Sequence, residues 1–137
     1  MIYPFNMAIK RWKEDVIFSN YIRERDGWTC QRCFTRYNKH MPTSRMGLHC
    51  SHFHGRGKYT TRFDPDNATS LCYGCHRYMG SQPIEHMEFQ MKRLGQSKFE
   101  ELTMRANKTG KKRDYIGNKH FRNELELMLE GVLNEDT

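Results

Sequence analysis

The sequence predicts a small α+β domain in which a bound metal ion holds a short β-hairpin, with one helix before it and further helices after it. Two Cys-x-x-Cys pairs, Cys30/Cys33 and Cys72/Cys75, enclose a segment that alternates as a strand does. The segments outside the pairs instead repeat apolar residues at helical spacing. With 137 residues, of which 36% are hydrophobic, the chain has a thin core, so a metal ion would add stability that apolar burial alone does not supply.

The first helix is predicted over residues 8–25, where apolar residues recur at helical spacing. These residues are Ile9, Trp12, Val16 and Ile17. We expect them to form a stripe that packs on the metal module. The helix should end at Asp26-Gly27, because glycine readily adopts the left-handed conformation of the residue that follows a helix.

The paired cysteines predict one structural zinc site, formed by Cys30, Cys33, Cys72 and Cys75. Structural zinc takes four ligands in a tetrahedron, and each Cys-x-x-Cys turn supplies two thiolates. The alternatives are unrelated buried thiols, two disulfides and a thioredoxin-like redox motif. Zinc is favoured because neither pair lies in a βαβ pattern and the chain lacks the cysteine density of secreted disulfide scaffolds. Cys50 is left over and is expected to be a small buried residue on a strand.

A β-hairpin is predicted between the cysteine pairs. Residues 34–46 are polar and basic and are expected to form a loop, and residues 47–53 then alternate as a strand. Leu48, Cys50 and His52 should face one side of this strand, and His49, Ser51 and Phe53 the other. Residues 64–67, Asp-Pro-Asp-Asn, have strong turn chemistry. Residues 68–71 can then return as the second strand, and a helix should begin near Cys75.

Three helices are predicted after the second cysteine pair, over residues 83–94, 97–107 and 119–133. Their expected inner faces are Ile84, Met87 and Met91; Phe99, Leu102 and Ala106; and Phe121, Leu125, Met128, Leu129 and Val132. Residues 108–113 are expected to be a flexible basic linker. We therefore divide the chain into residues 1–80, the N-terminal helix with the zinc-bound core, and residues 81–137, a helical extension that packs on the core or trails from it.

Positive charge is concentrated in the first part of the chain. Residues 1–80 contain 13 Lys/Arg and 6 Asp/Glu, whereas residues 81–137 contain 10 of each, so the whole surplus of +7 lies with the cysteine-rich segment. A basic surface of this kind is typical of nucleic-acid-binding proteins. The first residues show no signal-peptide pattern, and no apolar stretch approaches the length of a membrane span. Together with reduced cysteines, this predicts a cytoplasmic protein with no membrane partner.

The order of these motifs resembles the HNH endonuclease family, whose ββα-metal fold is treble-clef-like. The matching segments are residues 25–33 (RDGWTCQRC), 48–53 (LHCSHF), 64–67 (DPDN) and 71–76 (LCYGCH). Within the family, the phrases Ser-His-Phe and Phe-Asp-Pro-Asp-Asn, the Tyr21-Ile22-Arg23 helix and the Gly-x-x-Pro segment after His76 look most like the phage NinG/Rap recombination endonucleases. The resemblance covers roughly residues 12–107, and the combined spacing is what makes it specific.

The resemblance implies a phage-encoded nuclease, acting in the bacterial cytoplasm, that hydrolyses DNA phosphodiester bonds and leaves 5′-phosphate and 3′-hydroxyl ends. His52 would be the general base that takes a proton from the attacking water. Asn67 would fix the loop and orient His52, or ligate the catalytic ion as it does in some family members. His76 would be a ligand of that ion, Mg²⁺ or another divalent cation, which stabilises the charge developing on the phosphate.

Ser51 departs from the family pattern, because many members have Asp or His there as a metal ligand. The candidates to replace that ligand are Asp64, Asp66, His54 and water, and His54 is also a candidate to touch phosphate. The remaining histidines, His40, His49, His86 and His120, are expected to be structural or surface residues.

Arg56, Lys58 and Arg62 lie in the loop between the predicted strands and are expected to contact phosphates that flank the cleaved one. The alternative is a loop that only aids solubility. The rival function is a non-catalytic zinc-containing DNA-binding module, which would not require His52, Asn67 and His76 together. RNA as a substrate stays open, because backbone contacts distinguish the two polymers poorly, and a preference for branched recombination intermediates follows only from the resemblance. The oligomeric state is not readable, and a homodimer is compatible with the sequence.

Overall fold

The computed structural model describes residues 10–40 and 46–135 and confirms the α+β prediction. Within these ranges, a two-stranded sheet packs with six α-helices. The strands are β1 (Leu48–His52) and β2 (Ala68–Cys72), and the helices are α1 (Lys13–Arg25), α2 (Tyr59–Arg62), α3 (Tyr73–Gly80), α4 (Pro83–Leu94), α5 (Gln96–Ala106) and α6 (Lys119–Asn134). Short 3-10 helices occupy Pro65–Asn67 and Lys112–Asp114. No helix in the described ranges is long and apolar enough to cross a membrane.

The two strands form the predicted antiparallel hairpin. Leu48 lies opposite Cys72, and His52 lies opposite Ala68. The returning turn forms because the Asp64 side chain accepts a hydrogen bond from the backbone N–H of residue 66 at 3.0 Å, which is the local bonding expected of aspartate before a turn. β2 then runs directly into α3. The two strands, the connection between them that contains α2, and α3 therefore follow one another directly along the chain.

Two clusters of buried side chains hold the fold together. The first core joins α1, the hairpin and α6, and consists of Phe18, Ile22, Phe63, Ala68 and Leu125. The second core surrounds the paired cysteines and consists of Cys30, Leu48, Leu71, Cys75 and Met79. Each strand contributes to both cores, because Cys50 and Ala68 pack in the first core and Leu48 and Leu71 in the second.

The inner face of α1 differs from the predicted stripe. Val16 is 54% exposed, so its predicted inward position is wrong, whereas Phe18 and Ile22 are almost fully buried. Ile17 packs at the margin of the first core and not on the core around the cysteines, where the stripe was predicted to pack. Ile9, and the predicted start of the helix at residue 8, lie outside the described residues.

Acidic side chains on α1 explain this difference. Glu14 and Asp15 are buried, and each meets an arginine from a distant part of the chain. Asp15 lies 2.7 Å from Arg62, and Glu14 lies 3.4 Å from Arg122. A buried carboxylate is costly unless it is paired, so the partners supplied by the tertiary fold decide which face of α1 turns inward.

The helices after α3 form where the sequence predicts them, but α4 buries a different face. Ile84, Met87 and Met91 are exposed by 70%, 40% and 36%, so the predicted apolar inner face is wrong. Gln90 is buried instead, because its side-chain amide donates to the Asp66 carbonyl at 2.6 Å. The predictions for the next two helices are confirmed at Leu102, Ala106 and Leu125, which are all buried.

Candidate functional site

The four paired cysteines converge on one point. Their Sγ atoms all lie within 4.8 Å of one another, and those of Cys33 and Cys72 are 3.8 Å apart. A tetrahedron with Zn–S bonds of about 2.3 Å would place its sulfurs ~3.8 Å apart. None of the five cysteines forms a disulfide bond, which is inconsistent with the disulfide alternative. The cluster can therefore hold a metal ion, and its all-sulfur ligand set suits zinc.

Hydrogen bonds support the thiolate form of this cluster. The backbone N–H groups of Cys33 and Cys75 point at the sulfurs of Cys30 and Cys72, at 3.5 and 3.4 Å. The guanidinium of Arg32 donates to Cys75 Sγ at 3.4 Å. Four thiolates around Zn²⁺ carry a net charge of −2, so these donors offset the excess negative charge.

The free thiols differ in acidity. Hydrogen bonds from Thr35 lower the pKa of Cys33 to about 6, whereas burial raises the pKa of Cys75 to about 12. Because zinc binds only the thiolate, metal binding must release protons from the less acidic cysteines.

His52 is held by a backbone carbonyl. Its Nε2 lies 3.0 Å from the carbonyl oxygen of Arg62, and its ring packs beside Phe18 with 5.8 Å between centroids. A carbonyl oxygen only accepts, so Nε2 donates and Nδ1 is left as the basic nitrogen. Burial lowers the pKa of His52 to about 4, and the positive charge of Arg56 adds to this effect. The ring is thus neutral at pH 7, in a defined tautomer.

Asn67 is fully buried and fixes the loop between the strands. Its Oδ1 accepts from the backbone N–H of His54 at 2.8 Å, and its Nδ2 donates to the carbonyls of His54 and Thr61 at 2.9 and 3.0 Å. These bonds tie together the two ends of residues 54–61. Of the two roles that the resemblance implies for Asn67, this geometry fits loop fixation, because a side chain with no exposed surface cannot reach an ion in solvent.

His76 pairs with a residue that the sequence analysis had assigned to a structural or surface role. Nδ1 of His76 lies 3.1 Å from Nδ1 of His49, with the rings edge to face at 88°. Both histidines, with Tyr73 and Arg77, line an open cavity of about 300 Å³. Burial lowers the pKa of His76 to about 4, and His49 adds to this effect. The separation of the two Nδ1 atoms fits chelation of one divalent ion, for which tetrahedral bonds of about 2.0–2.1 Å require nitrogens ~3.3 Å apart.

The register of the hairpin was the signal that could have identified His49. His49 lies opposite Leu71, one residue before the second cysteine pair, so its side chain faces α3. His52, three positions later, faces the opposite side and packs against α1. The structure therefore brings His76 together with His49 and does not place the His52 and His76 rings in contact. The charge of Arg56 nevertheless lowers the pKa of both His52 and His76, so the two sides of β1 share one basic neighbour.

The three predicted phosphate contacts differ in how far solvent can reach them. Arg62 is fully buried and donates to both carboxylate oxygens of Asp15, at 2.9 and 2.7 Å, which does not fit contact with a phosphate in solvent. Arg56 is half-buried and Lys58 is exposed. Burial lowers the pKa of Arg56, and the charge of Arg11 adds to this effect, so Arg11 is a further basic neighbour that sequence analysis missed.

Of the proposed substitutes for a ligand at position 51, the two aspartates have other partners and His54 is partly buried. Asp64 and Asp66 both form ion pairs with Arg105, at 2.7 and 3.2 Å. His54 packs edge to face with Phe53, and its buried Nε2 has no hydrogen-bond partner among the described residues. Burial lowers the pKa of His54.

Comparisons with known proteins do not identify a relative: no family model, no curated protein and no solved structure matches the chain.

Proposed function

We propose that this protein is a metal-dependent endonuclease of the HNH type, which hydrolyses DNA phosphodiester bonds and leaves 5′-phosphate and 3′-hydroxyl ends. One observation carries the proposal: the carbonyl-anchored imidazole of His52 lies on a hairpin that the cysteine cluster joins to the helix bearing His76. The sequence motifs that resemble HNH enzymes supply the reaction class, and the charge of residues 1–80 supplies the polymer class.

His52 is the proposed general base. With Nε2–H donating to the Arg62 carbonyl, Nδ1 can take a proton from water, and the resulting hydroxide attacks phosphorus in line with the departing 3′ oxygen. The same carbonyl then stabilises the imidazolium through the Nε2–H bond. Asn67 contributes by holding the loop that contains Arg62 against β1. The low pKa keeps His52 in its basic form across the physiological range.

The proposed catalytic metal site is the pair His49 and His76, on the other side of β1. When bound there, a divalent ion would supply charge stabilisation to the phosphate and the leaving oxygen. Imidazole ligands suit zinc and the later first-row transition metals better than Mg²⁺, which prefers oxygen ligands, so Co²⁺ or Ni²⁺ should support activity at lower concentration than Mg²⁺.

Arg56, Lys58 and Arg11 are the proposed phosphate contacts beside His52. Arg56 is a cation near both candidate sites, and the carboxylate that acts on it, Asp15, forms its ion pair with Arg62. Such contacts position the backbone without reading sequence, so the proposal includes no sequence preference. Branched recombination intermediates remain a proposed substrate on the resemblance alone.

The second candidate is a non-catalytic zinc-containing DNA-binding module. The observation that favours it is the separation of the histidines: His52 packs on α1, whereas His76 and His49 bond each other on the α3 side. A binder of this kind needs the basic surface but no shared site for base and metal.

A cleavage assay separates the two candidates. Plasmid, branched DNA and RNA substrates would be incubated with each divalent metal and with wild type, His52→Ala, His76→Ala and the matched control His120→Ala, whose ring is exposed. The nuclease proposal expects His52→Ala to lose about 10²–10⁴-fold in rate while DNA binding and zinc content persist. Wild-type protein that binds DNA and cleaves nothing under any metal would establish the binding module instead.

A further inference from the structure

A second cavity lies beside the first cysteine turn, away from the two histidine sites. It measures about 480 Å³ and lies between that turn and α4. Its lining residues are Gln31, Arg32, Phe34, Phe89, Lys92 and Arg93. Two aromatic rings thus meet three cations, and the lining includes no carboxylate. We refer to it as the Phe34 pocket.

Phe34 is in a conformation that its side chain does not favour. Its φ is +63°, the left-handed region in which only glycine is unstrained. The cysteine turn requires this conformation, since the N–H of Phe34 donates to the Cys30 carbonyl at 2.8 Å. Yet the ring is 70% exposed and belongs to neither core. Its strain is therefore not offset by packing within the described residues.

Trp28 provides an internal comparison. It also has a positive φ, +52°, but its ring packs against the second core, so burial compensates for the strained backbone. Phe34 shows the strain without the burial. The cysteine turn accounts for the backbone conformation at position 34 but not for an aromatic side chain there, and the exposed ring in the pocket is placed to stack on an external partner.

The charges around the pocket select the kind of partner. Lys92 is an exposed cation on α4. The guanidinium of Arg32 donates to Cys75 Sγ at 3.4 Å, lies over the Tyr78 ring and is 3.9 Å from Glu85, and 36% of its side chain is exposed. Arg93 is committed to the fold, because it donates to the Asp66 carbonyl at 2.6 Å. An aromatic wall with exposed cations at its rim fits a flat ring that carries negative charge beside it, which is the chemistry of a nucleotide.

We propose that the Phe34 pocket binds an unpaired base of a single-stranded nucleic acid, which stacks on Phe34 while its phosphates contact Lys92 and Arg32. The inference rests on the proposed function for the class of polymer, but it does not require cleavage. It assigns to the first cysteine turn a role beyond metal binding, namely to hold an unpaired strand.

The test measures fluorescence anisotropy of a labelled oligothymidine, an abasic oligomer of the same length, and a duplex. We expect Phe34→Gly to bind oligothymidine about 5- to 150-fold more weakly than wild type, because one stacked base is lost, and Phe34→Tyr to bind normally. Glycine suits the left-handed position, so Phe34→Gly should unfold at a temperature no lower than wild type. Lys92→Ala should reduce the salt dependence by about 0.7 per lost phosphate contact, whereas the matched control Lys98→Ala should not.

The abasic oligomer keeps the phosphates and lacks the rings, so it tests stacking on the unaltered protein. If it binds wild type as tightly as oligothymidine does, or if Phe34→Gly binds normally, the inference is wrong. Displacement of oligothymidine by an equal charge of polyglutamate would also overturn it, by assigning the pocket to acidic protein. Failure of this inference leaves cleavage of duplex DNA intact, whereas Phe34-dependent binding without any cleavage would overturn only the proposed nuclease.

Discussion

The two cores of the fold are stabilised by different kinds of interaction. On the α3 side, the second core contains two of the four clustered cysteines, Cys30 and Cys75. On the α1 side, Phe18 and Ile22 form an apolar core and a buried ion pair joins Asp15 to Arg62. The α3 side should therefore depend on metal, and the α1 side on pH and on packing. The proposed metal site, on the α3 side, should therefore be sensitive to loss of zinc, and the proposed base His52, on the α1 side, to pH and to core substitutions.

The largest expected effect is the loss of the metal cluster. Cys30→Ser should abolish zinc binding and unfold the α3 side, because structural zinc contributes about 10–16 kcal/mol in small zinc peptides. Elemental analysis and thermal unfolding would measure the result. Cys50→Ala is the matched control, since Cys50 lies outside the cluster and should leave zinc content unchanged. A folded, reduced wild type without zinc would remove the basis of the comparison.

The next effect concerns the buried ion pair on the α1 side. Arg62→Ala should lower the free energy of unfolding by about 3–5 kcal/mol, because it leaves the Asp15 carboxylate buried and unpaired. Urea denaturation would measure it, with zinc content unchanged. The double variant Asp15→Leu/Arg62→Met replaces both charges by apolar groups and should recover most of the loss. A stable Arg62→Ala protein with weakened DNA binding would instead show that Arg62 contacts phosphate, as the sequence predicts.

The pH dependence of the α1 side should follow His52. Its pKa is about 4 in the folded protein and 6.5 ordinarily, so between these values the unfolded chain binds more protons. The free energy of unfolding should consequently fall as the pH drops from 6.5 toward 4, by about 3 kcal/mol for this residue at its limit. Measured by denaturation at a series of pH values, the free energy of unfolding should depend less steeply on pH in His52→Gln than in wild type. His120→Ala should show the same pH dependence as wild type. Equal slopes in wild type and His52→Gln would mean that His52 titrates normally.

The smallest expected effect tests the orientation of α1. Val16→Ala should change the free energy of unfolding by less than about 0.5 kcal/mol, because Val16 is 54% exposed. Ile22→Ala, at a fully buried position of the same helix, should cost about 2–5 kcal/mol. If thermal or urea unfolding showed that both variants lose a similar free energy of unfolding, Val16 would face inward as the sequence predicts.

Local chemistry made most elements readable from the sequence. Aspartate and proline at residues 64 and 65 define their turn, and alternation over residues 47–53 predicts a strand because side chains alternate across a sheet. The zinc ligands were readable for the same reason, since two Cys-x-x-Cys turns carry their geometry with them. The helix positions followed from apolar periodicity, although their inner faces did not always follow.

The tertiary structure decided which residues, distant in sequence, become the partners of the buried polar side chains. By itself the sequence determined which segments form both strands and every α-helix of the described residues except α2, which lies in the predicted loop between the strands, and which four cysteines cluster. It could not show that Arg62 would reach Asp15 or that Gln90 would reach the Asp66 carbonyl, and both bonds turn polar groups inward where apolar residues were expected. Nor could it pair His49 with His76, which depends on how α3 packs on the hairpin. The physical reason is that a buried polar group is tolerated only where its partner arrives, and the complete fold alone determines that arrival.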